Sequence, residues 1–250
     1  MIPKIVHFCW FGSNPYPNKI KKCIESWQKY LTNYEFKLWN EETFDIEKSC
    51  QYVKDAYKEK KYAFVSDFVR LYALYNYGGI YLDTDIEIIN EIPVGILNHK
   101  LILSLDDEGY ISGSFIGSKK NVTFLSHMIN FYENLSFYNN DGSLNMEVNN
   151  TYLQQELIKK GYDYKQINKQ QLLKDDIVLY PDDFFHCRSL TTGKLNITTN
   201  SIAIHWHSIL WASQKTKIIN FLRINILVPL IGSKLYTQLT KRIKNGKTTI

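Results

Sequence analysis

The chain has no carboxylate side chain after Asp183. Residues 184 to 250 carry ten Lys or Arg and no acid, whereas residues 1 to 183 hold the other 20 basic and all 25 acidic residues, so a net charge of +5 divides into −5 and +10. A sign change this sharp implies an anionic partner for the C-terminal part: nucleic acid, a phosphorylated ligand or a membrane surface. Cysteine is scarce too. Cys9, Cys23, Cys50 and Cys187 form no C-x-x-C pair, and a chain of 250 residues needs no staples, so free thiols in a reducing cytoplasm are expected. Long apolar runs are also missing. The opening Met1-Ile-Pro-Lys-Ile-Val-His-Phe has neither a long apolar core nor a small-residue cleavage site and does not read as a signal peptide. The most apolar stretch, Ile224 to Ser233, lies between Arg223 and Lys234 and is about half the length of a spanning helix.

What is present excludes disorder as the dominant state, because 44% apolar residues fill a real core. Lys4 to Gly12 reads as a buried strand followed by a loop, Ser13 to Pro17. Ile20, Cys23, Ile24, Trp27 and Leu31 recur at helical spacing, and Tyr34 to Trp39 alternates as a strand. A helix is expected from about Tyr57 to Tyr77, stopped by Gly78-Gly79, with a strand resuming at Ile80 to Asp83. Further strands are predicted at Leu101 to Leu105, Ile111 to Ile116, Ile177 to Leu179 and Ser201 to His205, with helices near Phe124 to Tyr132 and Tyr152 to Lys160. The polar segment Asn134 to Asn150 reads as a loop or mobile lid. Strands interleaved with helices predict an α/β domain with a mostly parallel sheet, which binds ligands at the carboxyl ends of its strands.

Asp83 and Asp85 sit at such an end. Their hard oxygens suit Mg²⁺ or Mn²⁺ bridging to phosphate, since a carboxylate about 4 Å from a phosphate oxygen repels it by roughly 4 kcal/mol at an effective dielectric of about 20. Asp67 and Arg70, three apart on the preceding helix, share a face: either an intrahelical ion pair, or Asp67 holding sugar hydroxyls and Arg70 a phosphate or sugar oxygen. Near the C-terminus, Ile202-Ala-Ile-His205-Trp206-His207-Ser208 places His205 and His207 on one side of a strand end, as candidate metal ligands or acid–base groups. His7 and Trp10 form a comparable cluster after the first strand, where a nucleotide base stacks in this architecture.

These pieces in this order resemble a family. Ile2-Pro-Lys-Ile-Val-His-Phe-Cys-Trp-Phe-Gly12, then Ser66-Asp67-Phe-Val-Arg70-Leu-Tyr-Ala-Leu-Tyr-Asn-Tyr-Gly78-Gly79-Ile-Tyr-Leu-Asp83-Thr-Asp85, then Ala203-Ile-His205 and Trp211 are similar to the D-x-D sugar transferases related to the yeast initiating mannosyltransferase. That family includes many bacterial capsule and lipopolysaccharide enzymes and is distantly similar to the glucosylating domains of clostridial toxins. The resemblance covers about residues 1 to 118 and 201 to 211. It implies a GT-A type, Rossmann-like α/β/α sandwich over residues 1–211, with residues 212–250 as a basic, amphipathic helical extension. It also implies a nucleotide-sugar donor, Mn²⁺ (or Mg²⁺), and transfer with retention of anomeric configuration. Trp10 would then stack on the base with His7 beside it; Asp67 and Arg70 would hold the donor sugar; Asp83 would contact ribose or metal; and Asp85 would bind the metal. His205 and Trp211 match the C-terminal motif as metal ligand and diphosphate contact. Leu210 stands where the family commonly has a small residue, which leaves the third metal ligand between His205 and His207.

The expected donor is UDP-galactose or UDP-glucose, with GDP-mannose as the alternative, and the expected acceptor is a glycan or lipid-linked oligosaccharide. Two other classes compete: an aspartate-nucleophile phosphatase, which expects Thr or Val where Glu87 stands, and a non-catalytic glycan-binding module. For the basic C-terminal part a lipid surface replaces nucleic acid as the partner. Residues 215–250 are expected to bind an anionic membrane through an amphipathic stretch from about Ile218 to Lys244, broken near Pro229, on the cytoplasmic face of a bacterial cell membrane.

Overall fold

The computed structural model describes residues 1–208 and 213–247. Its strands are β1 (Ile5–Cys9), β2 (Glu35–Trp39), β3 (Gly79–Leu82), β4 (Ile86–Ile88), β5 (Leu101–Leu105), β6 (Ile111–Ser118), β7 (Gln171–Leu173), β8 (Ile177–Tyr180) and β9 (Ala203–His205). Its helices are α1 (Asn18–Tyr30), α2 (Gln51–Lys58), α3 (Tyr62–Tyr77), α4 (Thr123–Glu133), α5 (Asn149–Lys159), α6 (Asp182–Phe185), α7 (Gln214–Leu222), α8 (Val228–Ile231) and α9 (Ser233–Lys247). Seven strands make one sheet in the order β2-β1-β3-β6-β5-β8-β7, and β4 pairs with β9 in a separate ribbon. The pairings β1–β2, β1–β3 and β5–β8 are parallel and the rest of the large sheet is antiparallel, so only β6 and β7 run against the common direction. This is the mixed α/β sandwich expected for a GT-A type fold.

The two faces of the sheet bury separate cores, and β1 shows how. Its alternation sends Val6 and Phe8 to the core that holds Trp27 of α1, and Cys9 to the core under α2, α3 and α4. Helix α3 is buried nearly all round, with Phe64, Val65, Phe68, Val69, Leu71, Ala73 and Leu74 inaccessible, as befits a helix covered on several sides. It ends at Gly78, and the chain enters β3 through Gly79 with φ of 114°; a Cβ there would stand 2.5 Å from the Ile5 carbonyl oxygen. Only glycine makes this turn. The short helix α2 precedes α3 as a separate element, where a single helix from Tyr57 was expected. Segment 134–148 is less lid-like than its composition: Phe137 is fully buried and the Tyr138 hydroxyl donates to Glu59 Oε1 at 2.7 Å.

His7 corrects an expectation. It was assigned to substrate, yet it is 0% exposed, its Nε2 bonding the Gly78 carbonyl at 2.8 Å and its Nδ1 accepting from Trp39 Nε1 at 3.2 Å. Alternation along β1 turns it inward, so it clamps the α3–β3 corner. Burial drops its pKa from 6.5 to about 4, with Lys37 adding to the effect and the Gly78 hydrogen bond opposing it. The unfolded chain takes up a proton across that window which the folded chain refuses. His7's contribution to stability is therefore whole above the unfolded pKa and is lost as pH falls through the window. In chemical denaturation, the stability gap between wild type and His7→Gln is expected to shrink by about 3 kcal/mol from pH 7 to pH 4. A gap that stays constant contradicts the buried neutral ring.

The C-terminal helices also depart from expectation. The chain stays helical through Pro229, because a π-helical turn at Arg223–Leu227 precedes α8 and absorbs the missing N–H. The break falls instead at Gly232, with φ of 81°, where the axes bend by 112°. Arg223 Nη2 donates to the Leu190 carbonyl at 3.0 Å, Ile224 packs over Gly193, and Val228 is buried, so this segment touches the domain along one side. No single helix among the described residues is long and apolar enough to cross a membrane.

Candidate active site

The D-x-D pair occupies a turn between two sheets. Asp83 N–H donates to the Ser114 carbonyl at 2.8 Å, continuing the β3–β6 ladder by one residue, and Ile86 N–H then bonds back to the Asp83 carbonyl at 3.0 Å, closing the turn into β4. The β4–β9 ribbon pairs Ile86 with His205 across about 120 residues of chain. Three contacts lock the two motifs together. Trp206 N–H donates to the Asp85 carbonyl at 3.1 Å, Ser208 N–H to Asp85 Oδ2 at 2.6 Å, and His205 Nε2 lies 3.3 Å from Asp85 Oδ1. His205 and His207 share a side with ring centroids 4.0 Å apart, while Trp206 turns away to donate its Nε1–H to Glu87 Oε2 at 2.8 Å.

Asp67 and Arg70 face this turn from the middle of α3, and both are nearly inaccessible. Arg70 Nη2 bridges Asp67 Oδ1 at 2.9 Å and Asp83 Oδ1 at 3.4 Å. Its other donors go to the Gly113 carbonyl from Nη1 at 2.8 Å and to the Ser66 carbonyl from Nε at 3.2 Å. The intrahelical ion pair is therefore present, and it also reaches the D-x-D motif. Tyr81 lies under the guanidinium, 4.6 Å from ring centroid to Cζ, and its hydroxyl donates to Asp83 Oδ1 at 3.0 Å. Gly113 makes room for this network, because a Cβ there would lie 2.7 Å from both Arg70 Nη1 and Asn149 Oδ1.

Electrostatics set different charge states on the carboxylates. Burial pushes the Asp67 carboxyl up to about 7, with Arg70 pulling it back and Asp83 adding to the rise. Burial also disfavours charge on Asp85, but His205 beside it and the Ser208 N–H outweigh this and hold its carboxyl below the usual range. Arg70 is disfavoured by burial and more than compensated by Tyr81, Asp83 and Asp67, so its pKa rises.

One oxygen each from Asp83 and Asp85 and a nitrogen of His205 lie within 4.8 Å of one another. Two hard oxygens with one imidazole form a donor set suited to Mg²⁺ or Mn²⁺. Ser208, already bonded to Asp85 through its N–H, adds a buried hydroxyl that has no partner among the described residues. The residues present therefore fit a divalent cation. Trp10 stands half-buried where β1 ends, its Nε1–H on the Asn14 carbonyl at 2.6 Å and its ring 4.8 Å from Tyr16. Trp211 and Leu210 lie outside the described residues. Two cavities, of about 380 Å³ beside His127 and Glu156 and about 570 Å³ beside Phe44 and Tyr72, have none of these residues in their walls.

Three residues of this neighbourhood escaped the sequence reading. Asn149 and Asn150 open α5; Asn150 Oδ1 accepts the Gly113 N–H at 2.8 Å, and Asn149 Nδ2 donates to the Tyr132 hydroxyl at 2.9 Å while its Oδ1 is buried without a partner among the described residues. The Asn pair at the end of a polar loop, just before a helix, was the available signal. His186 follows α6, and its Nδ1 lies 3.3 Å from His205 Nδ1. Arg188 also reaches this neighbourhood, donating from Nη1 to the Trp206 carbonyl at 3.1 Å.

Residues 17–104 match the family described as glycosyltransferase sugar-binding region containing DXD motif. Over 131 residues the chain is 30% identical to inositol phosphoceramide mannosyltransferase 3 of Schizosaccharomyces pombe, a stretch that covers 51% of this chain and 36% of that protein. The chain thus spans about a third of the length of that curated relative. Among solved structures, PaToxG glycosyltransferase is 19% identical over 52% of this chain and 59% of its own, with a TM-score of 0.41. A glycosyltransferase involved in the glycosylation of the major capsid of PBCV-1 is 10% identical over 86% of this chain and 97% of its own, with a TM-score of 0.49. The segment that matches this family, residues 17–104, holds Asp67, Arg70, Asp83 and Asp85.

Proposed function

We propose that the protein is a metal-dependent, retaining glycosyltransferase that moves a hexose from a nucleotide sugar to a glycan or lipid-linked oligosaccharide acceptor in capsule or lipopolysaccharide synthesis. The observation that carries this reading is the convergence of Asp83, Asp85 and His205 beside the buried Asp67–Arg70 pair at the carboxyl end of β3. UDP-galactose or UDP-glucose is the favoured donor. The relative named as an inositol phosphoceramide mannosyltransferase keeps GDP-mannose as the alternative.

A divalent cation held by Asp83, Asp85 and His205 supplies charge stabilisation for the leaving diphosphate. The chain's own residues do the rest. Arg70 spends its donors on protein acceptors, so it acts by fixing the positions of Asp67 and Asp83 and by adding a buried positive charge as diphosphate leaves. Asp67, with Asn149 Nδ2 on its backbone carbonyl at 3.5 Å, is assigned to the sugar hydroxyls, for which its carboxylate is the acceptor. Asp67 is bound to Arg70 and only 11% of its side chain is exposed, which favours front-face attack by the acceptor hydroxyl over a covalent intermediate on this carboxylate. Trp10 at the end of β1 stacks the base, worth about 1–3 kcal/mol.

Hydrolysis of a panel of nucleotide sugars with and without Mn²⁺ tests this reading. A binding module turns over none, and a phosphatase prefers a phosphate monoester.

The C-terminal helices extend the proposal to a membrane surface at the cytoplasmic face of the cell. Phe221 and Leu230 are 62% and 77% exposed, Ile218, Ile219 and Leu235 are exposed with them, and Lys215 and Lys234 lie along the same segment with no acid nearby in sequence. Apolar side chains among basic ones suit an anionic lipid surface, each Lys or Arg contributing about 1 kcal/mol there. The full chain is expected to co-sediment with anionic vesicles, and Phe221→Asp/Leu230→Asp to reduce bound protein at least about fivefold. Equal binding by both proteins overturns the assignment.

A further inference from the structure

His186, His205 and His207 form a second constellation, which shares only His205 with the carboxylate site. A nitrogen of each lies within 4.8 Å of the other two. Hydrogen bonds fix which nitrogen His205 and His207 have to offer. His205 Nε2 lies 3.3 Å from Asp85 Oδ1, and His207 Nε2 lies 3.0 Å from the Arg188 carbonyl oxygen. A carboxylate and a carbonyl only accept, so both rings carry hydrogen on Nε2 and, when neutral, a lone pair on Nδ1. His186 Nε2 stands 2.9 Å from Ser104 Oγ, whose own hydrogen is directed to the Ser112 and Phe115 carbonyls at 3.1 and 3.0 Å. Ser114 Oγ also lies 3.1 Å from His186 Nε2, so this ring can carry its hydrogen on either nitrogen, and with the hydrogen on Nε2 a lone pair is left on Nδ1.

His186 Nδ1 and His205 Nδ1 stand 3.3 Å apart, a separation that either a hydrogen on one of them or a cation bound to both accounts for. Two nitrogens bound at about 2.0–2.1 Å to one tetrahedral ion are separated by about that distance. His207, packed against His205 at a centroid separation of 4.0 Å, brings the third ring.

We propose that His186, His205 and His207 hold a borderline transition-metal ion of the Zn²⁺ class through their three Nδ1 atoms. The site shares His205 with the oxygen-rich one at Asp83 and Asp85. An all-imidazole set favours Zn²⁺ over Mg²⁺ and Mn²⁺, and three protein ligands leave a fourth position open. Each ligand has its own supporting acceptor: the Ser104 hydroxyl, the Asp85 carboxylate and the Arg188 carbonyl. An ion there keeps the His205 Nε2–H on Asp85 and so withdraws His205 from the carboxylate site.

The test is Zn²⁺ stoichiometry on the chelator-stripped full chain, by equilibrium dialysis against micromolar Zn²⁺ with Mg²⁺ in excess. Co²⁺ substitution reports geometry through visible absorption. Wild type is expected to retain one equivalent of Zn²⁺ and to give the intense spectrum of a four-coordinate Co²⁺ site. His186→Asn and His207→Asn are each expected to weaken binding on the order of 10²-fold. The second variant guards against misfolding, because residue 207 has φ of 51°, a conformation that Asn tolerates. Asp83→Asn, outside the trio, is expected to keep the full equivalent. The proposal is overturned if wild type retains no Zn²⁺, which means a proton on His205 fills the gap. It is equally overturned if both histidine variants bind as wild type, or if Asp83→Asn loses the ion, which places Zn²⁺ among the carboxylates.

Discussion

Asp85→Asn is expected to lower sugar transfer by at least about 10²–10³-fold while the protein stays folded. Asp85 is the residue where the two motifs meet: its carbonyl accepts from Trp206 N–H, its Oδ2 from Ser208 N–H, and its Oδ1 faces His205. An amide oxygen still accepts the Ser208 N–H, so the β4–β9 junction survives. The anionic charge that balances a divalent cation does not. Turnover should therefore fall together with metal affinity, with a higher Mn²⁺ concentration needed for half-maximal rate. Circular dichroism and the unfolding midpoint check the fold alongside the kinetics. Near-normal turnover in this variant, at a metal concentration that saturates wild type, removes Asp85 from the site.

Arg70→Ala has the second large effect, and it acts on two observables. Removing the guanidinium leaves Asp67 and Asp83 facing each other with no cation between them and strips the Gly113 carbonyl of its donor. Breaking one partner out of a buried ion pair typically costs about 3–5 kcal/mol, which denaturant titration reads directly. Turnover is expected to fall by about 10²–10³-fold, because the buried positive charge near the leaving diphosphate is gone. Arg70→Lys separates the two effects. A lysine restores the charge but not the fork that spans Asp67, Asp83 and Gly113, so stability should recover more than turnover. Equal recovery of both makes the role of Arg70 one of charge alone.

The elements most legible in the sequence are those whose signals are local. The run from Ser66 to Asp85 announces a helix, a glycine stop, a strand and a strand-end carboxylate pair, and α3, β3 and the D-x-D turn follow it. His205 and His207 share a side as alternation suggested, although β9 ends at His205 and residue 207 has φ of 51°. Other features depend on distant partners. Nothing near Ile86 indicates that it pairs with His205, yet that ribbon builds the site. His186 looks like an isolated histidine after a short helix until β8 and β9 bring it to His205. His7 failed in the opposite sense: its position near the end of β1 suggested a ligand, and only packing against Gly78 and Trp39 shows a core clamp. Pro229 misled because a local breaker is harmless beside a π-helical turn, and Gly232, with its positive φ, makes the break.

Metal-dependent hydrolysis of nucleotide sugars tests the central assignment most directly. With the full chain, a UDP-hexose and Mn²⁺, release of UDP is expected, abolished by chelation, restored by added Mn²⁺ and absent in Asp85→Asn. Metal-independent release, or no release from any UDP- or GDP-linked sugar while p-nitrophenyl phosphate is cleaved, contradicts a D-x-D glycosyltransferase site at Asp83, Asp85 and His205.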